Sequence, residues 1–319
     1  MPPNRALLEN TFSTIILAAG KGTRMYSKTP KVLHKILGKP IISFAVQLAR
    51  TIRSKEIVVV VGKNAHTLKK TIGTGVKYVI QARPLGSGDA AKNGIAVATS
   101  TYVLILNGDV PLLSETTVLE LLTYHKKQNA ALTILTCAMQ NPFGYGRIIR
   151  NKNNFVSGIV EQTDAAVQQQ VIKEINVGVY YGRRDLLSHA LDEITSVNRQ
   201  GEYYLTDIVH EIIRKKKKVA GLKINNEEEI LGINSKFELA RVREIARARW
   251  FEQLMLQGVD IEDPLTTTID LSVRFGKNVH IRPHTIIEGN TTIKSGTTVG
   301  PFVWIKNGKK MGIEIQIKS

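Results

Sequence analysis

The chain has 319 residues, 43% of them hydrophobic and 22% charged, and its 44 Lys plus Arg against 27 Asp plus Glu leave a formal charge of +17. The longest aliphatic run, Ile57 to Val61, falls far short of the ~20 apolar residues of a membrane helix. Met1 to Thr11 carries Arg5, Glu9 and two asparagines and lacks the apolar stretch of a secretion signal.

One cysteine, Cys137, excludes internal disulfides and thiolate metal clusters, and a cytoplasmic location is expected. The basic excess asks for a polyanionic partner: nucleic acid, an acidic membrane surface or a phosphate-rich small molecule. Residues 1 to 60 hold ten basic and two acidic side chains, and Arg214 to Lys218 is an unbroken basic run. Aromatics are 6% and avoid that run, so it reads as a solvated helix end, and neither nucleic acid nor membrane is expected as a partner.

In chain order, Thr14 to Leu17, Ile57 to Val61, Lys77 to Ile80 and Tyr102 to Leu106 read as strands. Ile41 to Ile52 and Ala90 to Ala98 have helical spacing. Nearly continuous apolar strands separated by helices predict a parallel sheet covered on both faces, a doubly wound α/β domain. Ligands of such sheets bind beyond the carboxyl ends of the strands, here the loops after Leu17, Ile80 and Leu106. Ala131 to Cys137, Phe155 to Glu161 and Asn176 to Tyr181 predict further strands that extend this sheet. Leu205 to Arg214 predicts a helix, and Ser235 to Gln257, stopped by Gly258, a long connecting one.

The tail has a different period. Ile269, Phe275, Ile281, Ile287, Ile293, Val299, Ile305, Met311 and Ile317 recur every six residues, with glycines at 276, 289, 296, 300, 308 and 312. Inward aliphatics at that interval with turn glycines are the hexapeptide pattern of a β-helix.

Three loops carry the chemistry. Leu17 to Met25 contains Gly20 and Gly22, whose small size lets backbone amides approach phosphate oxygens. It is neither a Walker loop nor a dinucleotide fingerprint, since the glycine spacing differs and Met25 fills the third glycine position. Alone it is equally a structural turn, but Arg24 and Lys31 favour a polyphosphate. Gln81 to Gly88 is again glycine-rich, and the Gln81 amide can read a base edge. The strand ending at Leu106 runs into Asn107-Gly108-Asp109. Asp109 is either a turn residue or, facing a triphosphate loop, a magnesium ligand.

These motifs, with Pro30-Lys31-Val32-Leu33, Gly144 to Ile148, Gly158 to Glu161, Glu174 to Gly178 and Gly201 to Asp207, resemble the N-acetylglucosamine-1-phosphate uridylyltransferase half of the bifunctional GlmU family. The resemblance runs in order from about Ser13 to Asn234. It implies a Rossmann-like, GT-A-like nucleotidyltransferase domain over residues 1–234, a connector helix over 235–262 and a short left-handed β-helix over 263–319. It further implies reaction of UTP with N-acetylglucosamine 1-phosphate, giving pyrophosphate and UDP-N-acetylglucosamine, a peptidoglycan precursor.

By the same resemblance, Leu17, Ala18, Ala19, Gly20, Lys31, Gln81, Gly86, Ser87, Asn107, Gly108 and Asp109 would bind UTP. Gln81 would pair with uracil, and Arg24 and Lys31 would neutralise phosphate charge. Asp109 and Asn234 would hold Mg²⁺. Gly146, Glu161, Asn176, Tyr204 and Thr206 would bind the amino sugar.

Two residues depart from the family pattern. Asp89 stands where His is common, adding negative charge near the nucleotide, and Asn107 stands where tyrosine is also seen. The family's β-helix continues for many coils that carry acetyltransferase residues, whereas this chain ends at Ser319. Uridylyl transfer without acetyl transfer is therefore expected, with any homotrimer carried by the short β-helix. Transfer to a different sugar 1-phosphate, and a non-catalytic hexapeptide scaffold, remain the rival expectations.

Overall fold

The computed structural model describes residues 12–63 and 65–311. The chain divides into two compact units, Met1–Leu33 with Ile41–Ser235, and His34–Pro40 with Lys236–Ser319. An expectation of three consecutive parts does not contain this division: residues 34–40 and the long helix both group with the β-helix.

In the first unit, β1 (Phe12–Ala18) is followed, after the chain has passed through β2 (Lys35–Ile36) and β3 (Lys39–Pro40) of the second unit, by α1 (Ile41–Thr51) and β4 (Glu56–Val61). Then come α2 (Ala65–Ile72), β5 (Lys77–Ile80), α3 (Ser87–Val97), β6 (Tyr102–Asn107), α4 (Glu115–Gln128) and β7 (Leu132–Ala138). A hairpin, β8 (Arg147–Arg150) and β9 (Val156–Val160), precedes α5 (Val167–Gln170), β10 (Glu174–Arg183), α6 (Arg184–Glu193), α7 (Ile208–Arg214) and β11 (Val219–Ile224).

The main sheet has the order β11-β7-β10-β6-β1-β4-β5. Strand β1 pairs in parallel with both β4 and β6, and its Ile15 and Ile16 are fully buried on opposite faces. One feature differs from the expected parallel sheet: β10 runs antiparallel to both β6 and β7. A parallel return is usually covered by a crossover helix, whereas residues 139–173 between β7 and β10 hold the β8–β9 hairpin and a single helical turn. The predicted helix over Leu205 to Arg214 divides into a 3-10 turn, Leu205–Asp207, and α7. No helix among the described residues is long and apolar enough to cross a membrane.

The second unit contains the β2–β3 ribbon, α8 (Lys236–Leu256) and the β-helix. Strands β12 (Val259–Ile261), β15 (Val279–Ile281) and β18 (Thr298–Val299) stack in parallel as one wall. A second wall is β13 (Thr268–Ile269), β16 (Thr285–Glu288) and β19 (Val303–Lys306), and a third is β14 (Arg274–Phe275) with β17 (Thr292–Ile293). Register partners such as Phe275 with Ile293 and Ile287 with Ile305 show that three six-residue steps make one coil. Ile269, Ile281 and Ile287 are fully buried inside it, beside Phe251 and Leu254 of α8.

Met311 does not continue this register. Asn307 and Gly308 take positive φ, so the chain reverses into β20 (Lys309–Lys310), antiparallel to β19, and Met311 is left exposed. Gly312, Ile317 and the amino-terminal segment read against a secretion signal lie outside the described residues.

Candidate functional site

The carboxyl ends of β1, β4, β5 and β6 open on one cleft with two adjoining cavities of about 400 and 390 Å³. Leu17, Ala18, Ala19, Gly20, Lys31, Gln81, Gly86, Ser87, Asn107 and Asp109 all line the second cavity. Gly108 does not; its N–H instead bonds the Leu17 carbonyl at 2.9 Å and ties the ends of β6 and β1 together.

Two glycines are required by close approach. Gly22 sits at φ 62°, and a Cβ there would lie 2.6 Å from Cβ of Lys31. The loop after β1 can therefore fold against the 3-10 turn Lys31–Leu33. Gly86, at φ 115°, would place a Cβ 2.4 Å from the Tyr203 carbonyl oxygen. That contact belongs to a staple: the Tyr203 N–H bonds the Leu85 carbonyl, the Gly88 N–H bonds the Tyr203 carbonyl, and the Leu205 N–H bonds Ser87 Oγ. Helix α3 begins at Ser87, so the positive end of its dipole opens on the cleft.

At one side of the cleft, the Lys31 ammonium donates to Asp109 Oδ2 and to Asn234 Oδ1, the latter at 3.0 Å. The Ile233 N–H bonds the Asp109 carbonyl at 3.0 Å, pinning the 231–234 segment to the loop after β6. A carboxylate oxygen and an amide oxygen thus converge on one cation. Among the described residues no three His, Cys, Asp or Glu side chains gather into a metal cage. One carboxylate and one amide oxygen are a donor set that fits Mg²⁺, which keeps several waters and uses few protein oxygens.

Arg24 lies on the 3-10 turn Thr23–Met25, is exposed and lines neither cavity. The charged cleft-lining residues outside the predicted set are Lys21 and Glu202 in the second cavity and Lys63 in the first. Glu202 follows Gly201 in the Gly201 to Asp207 motif, whose turn glycine and carboxylate are the local signal for it.

At the end of β5, Gln81 is 5% exposed. Its Nε2 donates to the Gly86 carbonyl at 3.0 Å and to Asp89 Oδ2 at 2.7 Å. Asp89 lines neither cavity, so its carboxylate stands behind Gln81 instead of facing the cavities directly.

The residues predicted for the sugar form a second group. Thr206 Oγ1 donates to Glu161 Oε1 at 2.9 Å, and a Cβ on Gly146 would lie 3.3 Å from Glu161 Oε2. Burial pushes the Glu161 carboxyl above its usual range; the Thr206 hydrogen bond opposes this, while Asp207 and Asp164 add to it. Asn176 bonds the Gly146 carbonyl through its N–H and the Tyr180 hydroxyl through Nδ2. The Tyr204 hydroxyl is buried, and burial raises its pKa, with Asp164, Glu161 and Glu202 adding to the rise and Thr163 opposing it. A bulge in β10 between Asn176 and Tyr180 carries Gly178 at φ 82°, where a Cβ would overlap the Asn107 amide. The bulge thus makes room for Asn107 at the end of β6.

Comparison with known proteins agrees with this geometry. Residues 14–170 match the family model described as a MobA-like NTP transferase domain. A crystal structure of UDP-glucose pyrophosphorylase complexed with UDP-glucose has a TM-score of 0.62 at 18% identity over 74% of this chain and 98% of that one, which shows a common fold. Fold and cleft define a chain of the nucleotidyltransferase class.

The bifunctional protein GlmU of Caldanaerobacter subterraneus subsp. tengcongensis is 42% identical over 90% of this chain and 63% of its own length. That of Acetivibrio thermocellus is 41% identical over 95% of this chain and 73% of its own. The chain belongs to the GlmU family. It spans about two thirds of the length of these relatives.

Proposed function

We propose that the first unit catalyses uridylyl transfer from UTP to N-acetylglucosamine 1-phosphate, producing UDP-N-acetylglucosamine and pyrophosphate. The observation that carries this reading is the convergence of Lys31, Asp109 and Asn234 at one end of a glycine-bordered cavity whose other end holds Gln81. Membership of the GlmU family supports the choice of nucleotide and sugar.

In this reading the sugar-phosphate oxygen attacks the α-phosphorus of UTP. A new P–O bond forms as the bond to the bridging α,β oxygen breaks in line, and pyrophosphate leaves with that electron pair. The nucleophile is already an anion, so no general base is needed, and the protein contributes position and charge neutralisation. Lys31 neutralises the phosphates inside the cleft, and Arg24 adds positive charge from the exposed 3-10 turn Thr23–Met25. Gly20 and its neighbours let the backbone approach the nucleotide, and Gly86 and Ser87 present the start of α3 to it.

Asp109 and Asn234 would hold Mg²⁺, which when bound neutralises charge on the phosphates. Gly146, Glu161, Asn176, Tyr204 and Thr206 would bind the amino sugar. The β-helix unit would carry assembly, a homotrimer by family resemblance.

Pyrophosphate release measured with UTP, dTTP and CTP against N-acetylglucosamine 1-phosphate and glucose 1-phosphate tests the proposal. The expected result is a marked preference for UTP with the acetamido sugar. Equal or greater turnover with glucose 1-phosphate would reject the sugar assignment, and no release with any pair would reject catalysis.

A further inference from the structure

Gln81 is buried at the end of β5, and its backbone N–H is fixed to the Val61 carbonyl at 2.8 Å. Its side-chain nitrogen has two acceptor partners, the Gly86 carbonyl and the Asp89 carboxylate. A carbonyl cannot donate a hydrogen bond, and neither can an ionised carboxylate. Rotating the amide by half a turn would set its oxygen against both acceptors and leave them unsatisfied. The orientation of the amide is thus dictated by chemistry. Both Nε2 hydrogens point at Gly86 and Asp89, and Oε1 is the atom left for a ligand in the cavities that Gln81 lines.

We propose that Asp89 is a positioning residue for base selection: it locks the Gln81 carboxamide with its oxygen toward the pocket, so that the subsite takes a pyrimidine with an N3–H and rejects one whose N3 is an acceptor. Uracil offers N3–H as a donor to Oε1, whereas cytosine presents a lone pair at the same ring position. An unlocked amide serves either base by rotating, because it carries a donor and an acceptor on the same fork. The Gly86 carbonyl shares in the lock, and Asp89 supplies its shorter hydrogen bond, 2.7 against 3.0 Å, so selectivity depends on Asp89 as well as on Gln81.

Asp89 is suited to the role by its place in the chain. It lies in the first turn of α3, where the helix dipole stabilises a carboxylate, and its backbone carbonyl accepts a hydrogen bond from Asn93 Nδ2 at 2.8 Å. It lines neither cavity of the cleft, so its effect on a ligand passes through Gln81. This inference rests on the reading that Gln81 faces the base of the nucleotide.

The test compares kcat/KM for UTP and CTP, with direct calorimetric binding of both nucleotides, in the wild type, Asp89→Ala, Asp89→Asn and Gln81→Ala. Asp89→Ala is expected to lower the UTP-over-CTP preference about tenfold, mainly through the KM for UTP, with kcat for UTP within about threefold. Asp89→Asn, which keeps an oxygen acceptor for Nε2, is expected to recover most of the preference. Asp89→Ser, too short to reach Nε2, carries the same comparison if the alanine variant does not fold. Equal losses for UTP and CTP in Asp89→Ala would show a merely structural role and overturn the proposal. If Gln81→Ala changes the preference while Asp89→Ala does not, the Asp89 assignment alone falls. If Gln81→Ala leaves the preference unchanged, the placement of the base falls and the Asp89 proposal falls with it.

Discussion

Oδ1 of Asn234 accepts a hydrogen bond from the Lys31 ammonium at 3.0 Å, although the two residues are 203 positions apart in the chain. Asp109 accepts from the same ammonium, and the side chains of that pair are only 12% and 20% exposed. The three groups are held by backbone hydrogen bonds of their own loops, at Leu33 to Pro30 and at Ile233 to Asp109. Removing one of them should therefore disturb chemistry more than folding. Lys31→Ala and Asp109→Ala are expected to lower turnover by about 100-fold or more, with a stability loss no greater than about 2 kcal/mol. Steady-state pyrophosphate release paired with urea unfolding separates the two effects, and near-wild-type turnover in either variant would remove that residue from the site.

Chelation distinguishes a catalytic from a structural divalent cation. The loops of Asp109 and Asn234 are tied by the Ile233 N–H to Asp109 carbonyl bond, so folding is not expected to depend on the proposed cation. Excess EDTA is expected to abolish pyrophosphate release, leave the thermal midpoint within about 2 °C and be reversed by added Mg²⁺. A large drop in the midpoint would make the cation structural.

Away from the cleft, Arg150 and Glu174 form an ion pair beneath β7, β8 and β10. Arg150 Nε lies 2.9 Å from Glu174 Oε2, and Nη2 also reaches the Gly221 carbonyl at 3.2 Å. Burial acts to raise the Glu174 pKa, but hydrogen bonds from Arg150 and Thr136 outweigh it and hold the carboxyl below its usual range. Arg150→Met strands a partly buried carboxylate and is expected to cost about 3 kcal/mol near pH 7. A depressed carboxyl contributes stability above its unfolded pKa and loses it as pH falls through the folded one. The gap between variant and wild type should therefore shrink below about pH 4, and urea unfolding across pH measures it. A gap independent of pH would mean that the loss is one of packing alone.

Much of this architecture is legible from periodicity, and the limits are physical. Strands β1, β4 and β6 are buried on both faces, so their sequences are almost wholly apolar, and the six-residue period of the β-helix follows from its three-walled coil. A continuous apolar run reports burial on both faces, not direction as such, so β10, buried like β6 and β7, does not reveal that it runs antiparallel to them. Helix α4 has local end signals: Ser114 Oγ caps it by accepting from the Thr117 N–H, and Asn129 closes it at φ 45°. The site loops after β1, β5 and β6 follow from the sheet. The meeting of Asn234 with Lys31, and of Asp89 with Gln81, depends on tertiary placement and on a hydrogen bond that no local pattern announces. Met311 fails because turn residues 307 and 308 reverse the chain, although its spacing is right.

Asp207 gives the last expectation, with the opposite sign to Glu174. Burial, reinforced by Asp164 and opposed by His210, pushes its carboxyl up to about 6. Below about pH 4 the group is protonated in both folded and unfolded chains and contributes nothing. Between about pH 4 and 6 the folded chain holds the proton more tightly, so this group's contribution to stability falls as pH rises, and above pH 6 the full penalty persists. Asp207→Asn removes it. After allowance for partial solvent screening, the variant should be more stable than the wild type by about 1 kcal/mol at pH 7.5, with the advantage vanishing near pH 4. Thermal unfolding at pH 4, 5, 6 and 7.5 follows the difference, and an advantage that grew toward low pH would show that the Asp207 carboxylate is stabilised in the fold.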